Sequence, residues 1–526
     1  MKRILWSGVI ALAMVAAPSF AAAPDFDFAA LGAQAKPETV GTPRDLGARA
    51  AEMQLLQKQL AAGRVDKAQG RPIVVRLTNA ERRRIDDLGP VQNKYLVGVA
   101  KPVGKDINFA PARSLDKGIA DLALGAARGT GGAGFVWTAD VRVSGATALR
   151  LHLTNVDLPR GAKLYVYNLA GQAFGPYTGR GPLGDGELHT NTVFGGRLLL
   201  QLHAPADLAR TPRLTLAEVG VMGARFAAPR YQPEGVFNPD DLDAISKASN
   251  LCSTNASCVV NAACQSSSVV NVAKDAVASI LFQSGASFYI CTGGLVADTV
   301  STSVIPYFLT AHHCISSSGE ASSLETYFDY DTTCSNPNCT QPYNNTGDTV
   351  GATIKATGST SDFTLVQLAS TPASRDGVTT YLGWLSTAVA NTNNLALYRI
   401  SHPKGSPQAY SEGVVDTSKP TCRTLARGNF IYSRDTVGAT EGGSSGSPVL
   451  NGSGQIVGQL YGACGTNLND VCDSANNATV DGAFAVSYPS LAAFLNPGTG
   501  SCGAAGSSCT SNSQCCSNSC KGKTCK

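Results

Sequence analysis

The rhythm of apolar and polar positions changes several times along the chain. Lys2 and Arg3 precede an unbroken apolar run, "ILWSGVIALAMVAA", and then small residues, "PSFAAAP". Cationic, apolar, then small is the order of an export signal, and the run is too short for a comfortable bilayer span, so residues 1–23 are set apart from the fold. "RDLGARAAEMQLLQKQLAAG" predicts a helix stopped by Gly63. From about 71 to 225, runs such as "GFVWTADVRVSG", "ALRLHLTNV", "AKLYVYNL" and "GRLLLQLHA" alternate partially and are separated by turn signals. That pattern predicts an antiparallel β-sandwich. Residues 226–247 lack a period and predict an exposed linker. From 248 to about 496 short strands return ("ASFYICTGGLV", "FTLVQLA", "LALYRIS", "QIVGQLYG"), closing on "YPSLAAFLN", which predicts a helix. Residues 497–508 read as a Gly/Ser tether.

Composition adds a compartment. All sixteen cysteines lie after residue 251, an even number concentrated in one half, which predicts disulfides formed outside the cytoplasm. No C-x-x-C pair stands beside a histidine pair at zinc-finger spacing, so neither a metal nor another cofactor is expected. Residues 1–247 carry 30 Lys and Arg against 22 Asp and Glu, and residues 248–526 carry 12 against 16. The halves are oppositely charged, yet neither is basic enough to predict a nucleic-acid partner, and no second apolar run predicts a membrane one.

Three short patterns carry candidate chemistry: "YFLTAHHC", "TSDFTLVQL" and "GGSSGSP". A serine is a poor nucleophile until a base takes its proton. The base is best a histidine held in one tautomer by a carboxylate. A Gly-rich turn around the serine lets backbone N–H groups face a developing oxyanion. Each pattern alone is compatible with a plain turn, but the order His, Asp, Ser suits a double β-barrel.

On these residues the chain resembles the chymotrypsin-fold serine peptidases, and more closely the secreted bacterial lysyl endopeptidases, over residues 248–495. "CTGGLV" followed by "YFLTAHHC" matches the family's Cys-bounded histidine loop. The resemblance implies an all-β, chymotrypsin-like double barrel. It selects His313, directly before the Cys, as base rather than His312, with Asp362 as its carboxylate and Ser445 as nucleophile. The N–H groups of Gly443 and Ser445 then form the oxyanion hole. It also implies the bridges Cys291–Cys314, Cys258–Cys334 and Cys252 to Cys464 or Cys472. The family's pocket carboxylate has no strict counterpart: Ala439 stands six before the nucleophile, and strict spacing in the late loop falls on Thr479. Glu441 and Asp481 are the acidic candidates near the S1 pocket, with Tyr461 and Gly462 on the strand that lines it. The implied reaction is hydrolysis of protein or peptide substrates after Lys or Arg.

Residues 24–247 then read as a propeptide containing the sandwich, a folding aid or inhibitor of its own enzyme. Lys247, five residues before Cys252, marks the cut that would leave Ala248 first. Residues 502–525, spaced C-x6-C-x5-CC-x3-C-x4-C, resemble an inhibitor cystine knot and are too short to hold a core without disulfides. Other readings of the same chain are an idle binding protein on a peptidase scaffold, a peptidase preferring non-basic P1 residues, and a toxin-like protein acting through the knot.

Overall fold

The structure is a computed structural model that describes residues 32–41, 46–66, 72–87, 94–227, 254–300, 305–332, 334, 349–372, 379–497, 508 and 520–525. The export signal, Lys247, Cys252 and most of the six-cysteine module lie outside the described residues.

Helix α1 (Leu46–Gly63) ends at the glycine that the sequence marks as its stop, and sets Leu60 against Tyr165, Tyr167 and Leu199 of the sandwich. The sandwich strands are β1 (Tyr95–Asn108), β2 (Phe135–Val143), β3 (Ala148–Asp157), β4 (Lys163–Tyr167), β5 (Arg197–Ala204) and β6 (Arg213–Met222). One sheet runs β4–β5–β2 and the other β3–β6–β1, all antiparallel. Trp137, Leu151, Leu200, Leu202, Val219 and Val221 fill the space between them. Such burial of alternate residues from two facing sheets is what a sandwich core requires.

The second sheet does not stop at the sandwich. β1 pairs on its far side with a strand of the next domain, β8 (Ser287–Leu295), in the register Tyr95↔Ile290 and Leu96↔Tyr289. A cluster containing Tyr95, Val97, Phe194, Phe226, Leu281, Phe288, Ile290 and Tyr327 closes over the joint. Phe226, at the start of the expected linker, therefore belongs to a packed core. The opposite charges of the halves meet here too. Arg150 and Glu325 face each other at 3.8 Å with fully buried side chains, and Lys94 reaches Glu320 at 3.5 Å.

The second half is a pair of six-stranded barrels. The first uses β7 (Val277–Ser284), β8, β9 (Tyr307–Ala311), β10 (Glu325–Tyr327), β11 (Ala352–Gly358) and β12 (Phe363–Leu368) in the order β10–β7–β8–β9–β12–β11. A bridge from Glu325 to Val350, just before β11, closes it. The second uses β13 (Ala396–Ser401), β14 (Ala409–Val415), β15 (Phe430–Val437), β16 (Pro448–Leu450), β17 (Gln455–Gly465) and β18 (Asn477–Ala483) in the order β17–β16–β13–β14–β15–β18, closed by β18 on β17. Helix α2 (Phe484–Leu495) follows, with Phe484, Leu491 and Leu495 in one core with Trp384. The fold is thus an all-β, chymotrypsin-like double barrel behind a β-sandwich.

Two expected bridges are corrected. Cys258 pairs with Cys472, not Cys334, and Cys334 takes Cys264. Cys464 pairs with Cys422 across the β15–β18 end of the second barrel, so neither Cys464 nor Cys472 is left for Cys252. Cysteine spacing carries no strand register, and register decides which sulfurs meet. Cys291 and Cys314 are bonded to each other.

Candidate active site

β9 is buried at every position, and the chain turns immediately beyond it, presenting His312 and His313 at the seam between the barrels. Their rings diverge. His312 Nδ1 lies 2.8 Å from Thr357 Oγ1, whereas His313 Nδ1 lies 2.7 Å from Asp362 Oδ2. The backbone N–H of His313 donates to the other oxygen of the same carboxylate, at 2.9 Å. Asp362 therefore fixes the imidazole through main chain and side chain together.

Asp362 sits in the turn between β11 and β12 with φ at 55°, a left-handed conformation uncommon outside glycine but tolerated by aspartate. Three contacts hold it there. The backbone N–H of His312 donates to Asp362 O at 2.9 Å, and Gln459 Nε2 donates to the carbonyls of Ser361 and Asp362 at 2.6 and 3.2 Å. Gln459 is fully buried on β17, and no local pattern of residues marks it as the support of this turn.

The serine loop is tied from the first barrel. Thr292 on β8 donates its N–H to Ser445 O at 2.8 Å and its hydroxyl to Gly443 O at 2.8 Å. Gly446 has φ at 85°, and a Cβ there would lie 2.2 Å from Thr310 Oγ1 and 2.3 Å from Thr292 O, so no side chain fits. Ser444 is buried, its hydroxyl taken by Ser401 and the N–H of Glu441; Ser445 remains half-buried. The N–H groups of Ser444 and Gly446 donate to Glu441 O and Leu460 O, at 3.0 and 2.8 Å. Those of Gly443 and Ser445 have no backbone partner among the described residues. Two N–H donors on either side of Ser444 in a Gly-rich turn suit an oxyanion.

The Cys291–Cys314 disulfide joins the two parts. Cys314 Sγ is 3.8 Å from Ser445 O, and both sulfurs lie within 4.8 Å of a ring nitrogen of His313. His with two Cys resembles a metal donor set, but these sulfurs are bonded to each other and have no thiolate to offer. Tyr461 meets His313 edge-on with ring centroids 5.5 Å apart.

The expected pocket carboxylates are placed elsewhere. Glu441 Oε1 takes Lys404 Nζ at 2.9 Å and the Ala256 N–H at 3.2 Å, and Oε2 takes Asn255 Nδ2 at 2.9 Å. It is a strut joining residues 254–256 to the serine loop. Asp481 is fully buried, paired with the guanidinium of Arg399 through two hydrogen bonds inside the second barrel. Both carboxylates are thus paired with cations of this chain, Glu441 with Lys404 and Asp481 with Arg399. Gly462 follows Tyr461 at the cleft, and Thr479, where strict spacing falls, donates its hydroxyl to Asp435 Oδ2 at 2.7 Å.

Residues 249–478 match the family described as lysyl endopeptidase, C-terminal domain. The lysyl endopeptidase of Pseudomonas aeruginosa is 36% identical over 219 residues, covering 39% of this chain and 45% of that protein. The chain thus spans less than half the length of this curated relative. Among solved structures, the active form of the Rv3671c protease from M. tuberculosis overlaps with a TM-score of 0.28 at 15% identity, over 44% of this chain and 84% of that one. Its inactive form gives 0.27 at 18% identity, over 43% and 91%. The second half of this chain resembles the lysyl endopeptidases in sequence, in agreement with its motifs.

Proposed function

We propose that the chain is a secreted serine endopeptidase, made as a precursor and cleaving after cationic P1 residues. The observation that carries the reading is the Asp362 carboxylate, which grips both the ring and the main chain of His313 beside a serine loop with two free N–H donors. In the reaction Ser445 Oγ attacks the scissile carbonyl carbon and its proton passes to His313 Nε2. The N–H groups of Gly443 and Ser445 receive the negative charge that develops on the carbonyl oxygen. The C–N bond breaks as His313 returns the proton to the leaving amine. A water molecule, deprotonated by the same nitrogen, then releases the acyl group from Ser445. Asp362 holds the ring and favours the imidazolium in both halves.

Residues 1–23 direct export, in keeping with the disulfides of the second half. Among the described residues no helix is long and apolar enough to cross a membrane. Residues 24–247 act as propeptide. The support is the β1–β8 pairing, which leads from Tyr95↔Ile290 toward Cys291, and Lys94 Nζ, which donates to Cys314 O at 3.3 Å beside His313. A cut after Lys247 then begins the mature enzyme at Ala248.

The test is covalent. A fluorophosphonate probe is expected to label Ser445 in the matured protein, and Ser445→Ala to lose both labelling and peptide hydrolysis while retaining secretion and disulfides. Unlabelled, inert mature protein would instead fit an idle scaffold. If Ser445→Ala still yields a fragment starting at Ala248, another protease makes the cut.

A further inference from the structure

A narrow cleft of about 30 Å³ opens in the second barrel, with Asp435, Thr440, Ala463, Leu468, Val471 and Thr479 in its lining. Two of its lining residues lie close in the chain to the candidate active site. Thr440 precedes Ser445 by five residues on the serine loop, and Ala463 follows by two the Tyr461 whose ring meets His313. Asp435 on β15 is the one carboxylate of that lining, and its side chain is 9% exposed.

The charges around it do not balance. Arg399 commits Nε and Nη2 to Asp481, and Nη2 also to Ser433. Its remaining nitrogen, Nη1, stands 3.7 Å from Asp435 Oδ1, beyond hydrogen-bond range, and both atoms are buried without a hydrogen bond. Asp435 Oδ2 receives the Thr479 hydroxyl alone. Lys419 attracts Asp435 more weakly, and its Nζ is bound to the carbonyls of Ser474 and Ala475. Two buried carboxylates thus share one guanidinium, and Asp435, at the cleft wall, is the one left with an oxygen that has no hydrogen bond. Burial, the largest influence, raises the pKa of Asp435 above the ordinary carboxylate value, against the lowering pull of Arg399.

We propose that Asp435, held by Thr479, is the carboxylate that reads a cationic P1 side chain. The Lys or Arg enters between Thr440 and Ala463 and brings the missing positive charge to the Asp435 carboxylate. This assignment rests on the peptidase reading. It also explains why the strict pocket position can be a threonine: Thr479 orients a carboxylate supplied by the neighbouring strand.

The test uses the matured enzyme, with active sites counted by fluorophosphonate labelling of Ser445, and kcat/KM on peptides differing only in P1 Lys or norleucine. Norleucine keeps most of the lysine stem and lacks the ammonium. The native enzyme is expected to prefer Lys by about 100-fold or more, since a site with an unpaired polar group rejects the analogue that cannot satisfy it. Asp435→Asn should collapse that ratio to within about tenfold by acting on Lys alone. Ala463→Lys, at an exposed wall position, should also reduce it by at least about tenfold through direct repulsion, and serves if Asp435→Asn does not fold. A labelled, active Asp435→Asn enzyme with an unchanged ratio overturns the proposal. So does an unchanged ratio in Ala463→Lys, or a labelled native enzyme indifferent to P1 charge. Absence of labelling in the native protein would overturn the peptidase reading itself, a distinct outcome.

Discussion

Glu325→Ala tests the joint between the sandwich and the barrels. Its Oε1 accepts from Asn191 Nδ2 and Thr192 N at 3.0 and 2.9 Å, and its Oε2 from Thr192 Oγ1 and Tyr327 OH at 2.6 and 3.1 Å. Arg150, its buried counter-charge, also donates to Ser323 O at 2.7 Å. All these partners except Ser323 and Tyr327 belong to the sandwich half. Truncating one member of a buried pair costs about 3–5 kcal/mol, because the other charge is left uncompensated. At about 1.4 kcal/mol per tenfold, docking weakens by two to four orders of magnitude. With the sandwich gone Glu325 is bathed in water, and the same change there should cost less than about 0.5 kcal/mol. Urea titration of the uncut chain in a Ser445→Ala background reads this, with buried Trp137 reporting on the sandwich and buried Trp384 on the barrels. The expected result is a transition shifted by about 3–5 kcal/mol that resolves into two steps. Arg150→Met with Glu325→Leu should recover only part of the loss, since the buried donors of Asn191 and Thr192 keep no acceptor. A shift below about 0.5 kcal/mol in the uncut chain, or an equal one in the separated barrels, refutes the reasoning.

Further outcomes follow from other contacts. Gln459→Leu orphans the carbonyl of Ser361, at about 1–3 kcal/mol, takes one of two donors from that of Asp362, and loosens the Asp362 turn. It should lower kcat well before it changes KM, and an unchanged kcat would remove Gln459 from the positioning apparatus. Replacing Cys258 and Cys472 by serine opens a 214-residue loop and should cost about 2–5 kcal/mol, seen as a lower Tm under non-reducing conditions. Burial acts to lower the His152 pKa, but its hydrogen bonds to Glu218 and Glu187 outweigh it and the net shift is upward. A raised folded pKa gives stability that is present below the ordinary histidine value and fades as pH rises through the shifted one. His152→Gln should therefore lower the Tm more at pH 5.5 than at pH 8.5; equal losses would exclude the charged form.

What was legible in the sequence was local. The histidine, aspartate and serine segments are short strings whose neighbours dictate their geometry, and α1 ended where Gly63 marked it. Partners distant in the chain were illegible. Asp481 stood beside Gly482 as a pocket residue would, but its partner Arg399 is 82 positions away and draws it into the barrel interior. Asp435 lies in the polar run "YSRDTVGATEGG", where alternation gives no hint that β15 turns it toward Thr479. The bridges of Cys258 and Cys334 failed for the same reason, since sulfur pairing follows three-dimensional register. The sandwich strands were visible, but not their continuation through β1 into β8, because one strand's pattern does not name its neighbour.

That continuation means that cutting the chain and parting its halves are separate events. Cleavage at Lys247 would break one covalent link and none of the β1–β8 ladder. When the sandwich does leave, β8 is stripped of a neighbour and becomes an edge, those of its N–H and C=O groups between Ser287 and Ile290 that face β1 unpaired and Phe288 newly wet. Bare edges recruit extended chains. This one leads to Cys291, one disulfide away from His313, so the next strand to settle on it would be delivered to the reactive end of the molecule.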